Sequence, residues 1–460
     1  MLETAEAITA AAWDVAVAAD GRDEDQWAFA ADVAEVTCFD GAVSVAKSCI
    51  QVLGGIGFTY EHDAHLYLRR ALALRGLVGD ADSAAVRLTH RAVAGVRRQV
   101  EVDLDGRDEA VRPGVRATAE QIAGRPEPGR RAALVETVYL TPHWPAPYGL
   151  GADAVTQLVV EEELARAGVT RPDLVIAGWA LPTILEHGSD EQRERFVAPS
   201  LRGELVWCQL FSEPGSGSDL ASLRTRAARV DGGWRLTGQK VWTSVAQRAD
   251  WGICLARTDP DAPQHRGISY FLVDMRSPGI EVRPLREITG EALFNEVFLD
   301  DVFVPDDCLV GALGDCWRLA RTTLANERVA MATTRLSKST ERALTLAAGL
   351  DLSETQRARV GQAVALSTVC TLLGVRTTLR SLAGRGPGAE SSVAKLLGVR
   401  NRQDSAELVV ELQGDGLVAP SEQLRKDVWE LLNTRCLSIA GGTTQILRNV
   451  AGERILGLPR

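Results

Sequence analysis

The densest concentration of residues able to hold a ligand is CQLFSEPGSGSDLAS, from Cys208 to Ser222. Gly215 and Gly217 let a backbone approach a ligand closely. Ser212, Ser216, Ser218 and the free amides between them offer donors to an anionic or carbonyl-rich group. A generic Gly/Ser turn accounts for the same letters. A second stretch, GQKVWTS from Gly238 to Ser244, ends with Trp242 beside Thr243 and Ser244. An aromatic plane next to hydroxyls suits a flat heteroaromatic ring, although a Trp at a strand end is more often plain core. His62 and His65 in EHDAHLY have no third ligand cluster nearby, so a structural role outweighs a metal and none is assigned. Asp300-Asp301 reads as a turn between strands. The eight cysteines are scattered without a C-x-x-C pair, so neither a zinc site nor a disulfide framework is indicated, and a reducing cytosol is the expected compartment.

These residues must be positioned by a chain of 460 residues that is 45% hydrophobic, enough to bury substantial cores. Its net charge of −10 carries no basic stripe with interleaved aromatics, which argues against nucleic acid and for small molecules or proteins as partners. The opening MLETAEAITAAAWDVAV has acid where a signal peptide needs positive charge, and no run of eighteen apolar residues follows, so membrane insertion is not expected.

Residues 1–102 are Ala-rich with helical spacing, and 103–113 read as a charged linker. Helical texture returns over 103–205. From 206 to 312 it gives way to short alternating runs such as GWRLTGQKVWTS, DWGICLART and GISYFLVDM, the pattern of a β domain. Long Ala/Leu/Arg segments over 313–460 read as a helical bundle. QVLGGIGF at 51–58 and VELQGDGL at 410–417 share a spaced-Gly pattern, each between two helices. That echo fits a repeated bundle or two unrelated helix-breaking loops.

From Glu136 to Arg460 the chain resembles the acyl-CoA dehydrogenase family. In order, the landmarks are LEHGSDEQRERFVAPSLRGE, LFSEPGSGSDLAS, GQKVWTS, FNEVFLDDVFVP, TTLANERVA and AGGTTQILRNVAGERILGLPR. The resemblance implies an α+β, mainly α fold: a helical N-terminal domain, a β-barrel-like middle domain and a C-terminal four-helix bundle, with FAD between the last two. It implies that Phe211 and Ser212 touch the flavin, that Trp242 stacks on it, that Ser244, next to Thr243, bonds near N5, and that Thr443 and Gln445 lie against flavin and phosphates. Ser218 would contact the acyl-CoA, with Arg328, Gly441 and Gly442 shaping the same site. The reaction implied is α,β-dehydrogenation of an acyl-CoA, in which a base takes the α-proton while flavin accepts a hydride.

Many family members carry that base just before the Gly-Thr of the C-terminal motif, where this chain has Gly441. A branch resembling the isovaleryl-type enzymes places a Glu on the first helix of the bundle, and LANERVA supplies Glu327. Its helical neighbours Thr323, Leu324, Ala330 and Met331 are not basic, and an apolar face raises a carboxyl toward the range a general base uses. With the resemblance counted, Glu327 is the candidate base, and an exposed structural Glu is the competing reading.

Residues 1–102 resemble the partial C-terminal bundle of another copy of the fold, Gln51, Gly54 and Gly55 matching the loop that reaches a neighbouring subunit's FAD. The catalytic half has Val410 where this segment has Gln51. The pattern resembles the C-terminal part of fused double dehydrogenases of actinobacterial type, some acting on sterol side chains, and the start at Met1 in mid-bundle fits a fragment or a late start. Two bundles packed as a pseudo-dimer around one competent flavin site are expected, in a homodimer or pseudo-tetramer, with an electron-transfer flavoprotein as acceptor. An acyl-CoA oxidase and a non-catalytic acyl-CoA-binding subunit are the competing readings.

Overall fold

Helix ends are written into the sequence as side-chain caps. Asp23 accepts from the amides of Asp25 and Gln26, Asp80 from Asp82 and Ser83, and Asp153 from Thr156. Ser189 and Gln192 form a reciprocal capping box, and that helix closes on left-handed Gly203. The computed structural model describes residues 1–100, 102–333, 338–382 and 388–459, apart from the side chains of 327–333, 381 and 415.

Among the described residues the chain begins with α1 (Leu2–Asp20), α2 (Glu24–Leu53), α3 (Ala64–Val78) and α4 (Ala81–Val93). Next come α5 (Arg112–Ala123), α6 (Glu127–Glu136), α7 (Ala154–Arg166), α8 (Ala177–His187) and α9 (Asp190–Arg202). The strands are β1 (Trp207–Leu210), β2 (Arg226–Val230), β3 (Gly233–Ser244), β4 (Trp251–Arg257), β5 (Ile268–Asp274), β6 (Ile280–Leu285), β7 (Phe294–Pro305) and β8 (Leu309–Val310). The last helices are α10 (Cys316–Thr333), α11 (Lys338–Gly349), α12 (Glu354–Leu382), α13 (Glu390–Glu411), α14 (Glu422–Asn433) and α15 (Thr444–Arg454). They form two compact units, Asp103–Ala330 and the combination of Met1–Val102 with Met331–Arg460. Most of α10 falls within the Asp103–Ala330 unit.

In the Asp103–Ala330 unit the strands make one sheet, ordered β6-β7-β3-β2-β4-β5-β8, with β1 parallel to β4. The order does not close, so the barrel-like expectation becomes an open sheet. β4 and β5 are apolar on both faces and almost wholly buried, as WGICLAR and ISYFLVD read. Asp300 and Asp301 lie inside β7 rather than between strands. The register slips there between Leu236 and Gly238, and Asp301, at φ 53°, absorbs the extra residue in a left-handed conformation that Asp tolerates.

In the other unit a single core joins both ends of the chain: Ala7, Phe29, Val33 and Leu88 pack with Ala343, Val360, Val364 and Leu397. Gly361 on α12 is what lets α4 close in. A Cβ there would stand 1.9 Å from the carbonyl oxygen of Ala85. Polar ties reinforce the seam, with Thr89 Oγ1 donating to Arg357 O at 2.7 Å and Arg97 paired with Glu341 at 2.8 Å. Glu24–Phe58 and Glu354–Arg380 contain helices long and apolar enough to cross a membrane, and the second is half buried in this core.

Candidate functional site

β1 delivers the chain into the Ser-Gly loop, and a set of buried polar contacts fixes the loop's shape. The amide of Val241 on β3 donates to Ser212 O at 2.9 Å, so the two ligand-competent stretches of the sequence are hydrogen-bonded neighbours. Glu213 and Ser216 exchange backbone bonds at 2.9 and 3.0 Å, and Ser216 Oγ donates to the Asp219 and Leu220 carbonyls. Ser216 thus closes the loop from inside. Gly215 and Gly217 face open space and Ser218 is exposed.

Beneath the loop Lys240, with 0% exposure, donates to Glu213 Oε1 at 2.8 Å, Leu255 O at 2.8 Å and Phe211 O at 3.2 Å. Glu213 also accepts from the amides of Arg224 and Thr225. Burial alone pushes the Glu213 carboxyl up. The Lys240 ammonium and these hydrogen bonds outweigh that and hold it below its ordinary value. Neither residue was singled out from the sequence. The available signal was a lone Lys inside an otherwise foldable strand, which must find a carboxylate if it is buried.

Between Lys240 and Thr243 the β3/β7 register slips again, and Trp242 sits in the slip at φ 60°. Such a backbone is strained for a bulky residue and persists where its surroundings fix it. The bulge turns the indole outward, 62% exposed, edge-on to Phe294 at 6.3 Å. Ser244, two residues on, is half-buried on the same strand face. Thr243 falls on the opposite face with its Oγ1 buried and unpartnered among the described residues, and the Phe211 ring is buried against Tyr270. The Phe211 ring is thus turned inward, and ligand contact there would run through the backbone, whose carbonyl already accepts from Lys240. An outward indole flanked by half-buried Ser212 and Ser244 fits a flat heteroaromatic group such as a flavin.

Of the other expected residues, Glu327 and Arg328 fall in the Asp103–Ala330 unit and the rest in the unit that joins the two chain ends. Gln51 is exposed at the end of α2, followed by Gly54 at φ 62° and by Gly55, whose Cβ position is open. Gly441 and Gly442 have φ of 64° and 96°, and Lys395, 2% exposed on α13, donates to the carbonyls of Ala440 and Gly442. Thr443 Oγ1 caps α15 by accepting from Ile446 N at 3.3 Å, and Gln445 is exposed. Glu327 and Arg328 have their backbone on α10, but their side chains lie outside the described residues. His62 Nδ1 accepts from the Ala64 amide, and His65 stacks on Tyr60 at 4.4 Å.

The N-terminal-domain model of acyl-CoA dehydrogenases matches residues 108–204 and the middle-domain model residues 208–302. The C-terminal-domain model matches both 1–92 and 314–456. This chain belongs to the acyl-CoA dehydrogenase family. It is 57% identical to the acyl-CoA dehydrogenase FadE34 of Mycobacterium tuberculosis over all of its own length and 64% of that protein's. It thus spans under two thirds of that relative. It is 38% identical to the acyl-CoA dehydrogenase IpdE1 of the same organism, over 69% of this chain and 84% of the other. Among solved structures it resembles the steroid acyl-CoA dehydrogenase Tcur3481-Tcur3483, at 25% identity and a TM-score of 0.63, covering 83% of this chain and 98% of that one. Acyl-CoA dehydrogenases are FAD-dependent oxidoreductases.

Proposed function

We propose that this chain belongs to an enzyme that dehydrogenates an acyl-CoA thioester to the 2-enoyl-CoA, on a sterol side chain or another branched acyl group. The observation that carries the reading is the outward, strained Trp242 beside Ser244, on a strand hydrogen-bonded to the Ser212 loop. Family membership supports the reaction, and the likeness to a steroid dehydrogenase supports the substrate class.

In this reading Trp242, Ser244, Ser212 and the Phe211 backbone hold the isoalloxazine. Thr443 and Gln445 hold flavin and phosphates, and Gln51, Gly54 and Gly55 serve the FAD of a neighbouring bundle. Bound FAD supplies the hydride acceptor for the β-hydrogen, a role no side chain can fill. Glu327 takes the α-proton, which the thioester acidifies. Ser218, Arg328, Gly441 and Gly442 orient the acyl-CoA. Reduced enzyme passes its electrons to an electron-transfer flavoprotein.

The test is anaerobic addition of octanoyl-CoA and of a sterol side-chain acyl-CoA to the flavin-loaded full chain. Bleaching of the flavin by the sterol thioester supports the proposal. A folded protein that takes up no FAD, or holds FAD that neither thioester reduces, counts against it.

A further inference from the structure

Tyr270 on β5 is fully buried and does two things at once. Its ring stands edge-on to Phe211 at 6.0 Å and 86°, directly behind the Ser-Gly loop. Its hydroxyl is 3.2 Å from Thr323 Oγ1 on α10. Thr323, 0% exposed, is also 2.7 Å from Thr183 Oγ1 on α8 and donates to the carbonyl of Leu319, one turn back on its own helix. A hydroxyl donates once and accepts twice. Thr183 Oγ1 also reaches Trp179 O at 3.3 Å, so the three hydroxyls share the Leu319 and Trp179 carbonyls in one buried network, with at most one proton between each close oxygen pair. Glu327 follows Thr323 by one helical turn, about 6 Å along the axis.

We propose that Tyr270 is a positioning residue that sets the separation between the flavin-facing loop and the turn of α10 carrying Glu327. This rests on the reading of Glu327 as the base. β5 holds its Tyr in register with Val310 of β8 and Leu255 of β4, so the ring is anchored in the rigid centre of the sheet. Phe211 on one side and Thr323 on the other are thus referred to one side chain. A reaction in which proton and hydride leave adjacent carbons depends on that separation, and a misplacement of about 1 Å can cost a hundredfold in rate.

Tyr270→Phe tests the proposal cleanly, because it keeps the ring against Phe211 and leaves the contact between Thr323 and Thr183. Two readouts on the full chain are needed. Without ligand, amide hydrogen exchange over 319–327 should rise at least threefold in Tyr270→Phe with the rest of the sheet unchanged. Loaded with FAD and given a sterol side-chain acyl-CoA, the variant should reduce its flavin about tenfold more slowly, with unchanged FAD affinity and a larger α-deuterium isotope effect. The substitution should add nothing in a Glu327→Gln background, and Thr323→Ser, which keeps the hydroxyl, should behave as wild type. Wild-type exchange or a wild-type rate in Tyr270→Phe, with Glu327→Gln still slow, overturns the proposal and leaves the base reading standing. Normal reduction by Glu327→Gln overturns both.

Discussion

Lys240 and Glu213 form an ion pair of 2.8 Å, the Lys without any exposure, and through it the end of β3 is fastened to the loop that follows β1. Two carbonyls and two amides complete the coordination, so neither charge is left unpaired in the interior. Removing one partner of such a pair strands the other. Lys240→Met should therefore lower stability by about 3–5 kcal/mol and loosen the Ser212 loop. Lys240→Met with Glu213→Gln should recover part of that loss. Denaturant unfolding of both variants checks it, and wild-type stability of Lys240→Met would show the pair to be unimportant.

The same pair makes a pH prediction. The folded Glu213 carboxyl lies below its ordinary value, net of a burial effect that raises it and of Lys240 and amide contacts that lower it more. A carboxyl depressed on folding adds stability that is complete above its unfolded value, about 4.3, and is lost as pH falls through the lower folded one. Acid unfolding should thus steepen below about pH 4 in wild type and less so in Glu213→Gln. Identical acid profiles would refute the assignment.

Trp242 supplies a variant in which stability and ligand binding should part. Glycine accepts φ 60° without the penalty of about 1 kcal/mol that an L side chain bears there. Trp242→Gly should keep or raise the melting temperature while FAD affinity falls about tenfold, the scale of one lost aromatic stack. Full flavin content in that variant would remove Trp242 from the site.

Much of this was legible from residue types, and the limits of legibility are physical. The β texture over 206–312 and the helical texture around it follow from periodicity, and β4 and β5 read as buried strands because both their faces are apolar. Trp242 and Ser244 could be proposed because GQKVWTS resembles a family motif. Strand alternation turns Thr243 inward between them, which a motif read as a block hides. The sheet's failure to close, the bulge at Asp301 and the Lys240 pair depend on contacts across 27 or more positions, which local patterns do not encode.

The junction of the two chain ends is testable at Gly361. A methyl there meets the Ala85 carbonyl at 1.9 Å, so Gly361→Ala must push α4 from α12. A cost of about 1–3 kcal/mol is expected from overpacking a tight seam. Exchange protection should fall over 81–93 as well as over 354–382. An unchanged melting temperature would mean that the seam is not tight in solution.

The most direct test is the rate of flavin reduction in Glu327→Gln. The amide keeps the size of the side chain and removes its ability to take a proton. On this account the variant retains FAD and still binds acyl-CoA, but a sterol side-chain acyl-CoA bleaches its flavin at least about a hundredfold more slowly than wild type, the scale of a lost general base. Reduction within a fewfold of wild type would contradict the account and place the base elsewhere.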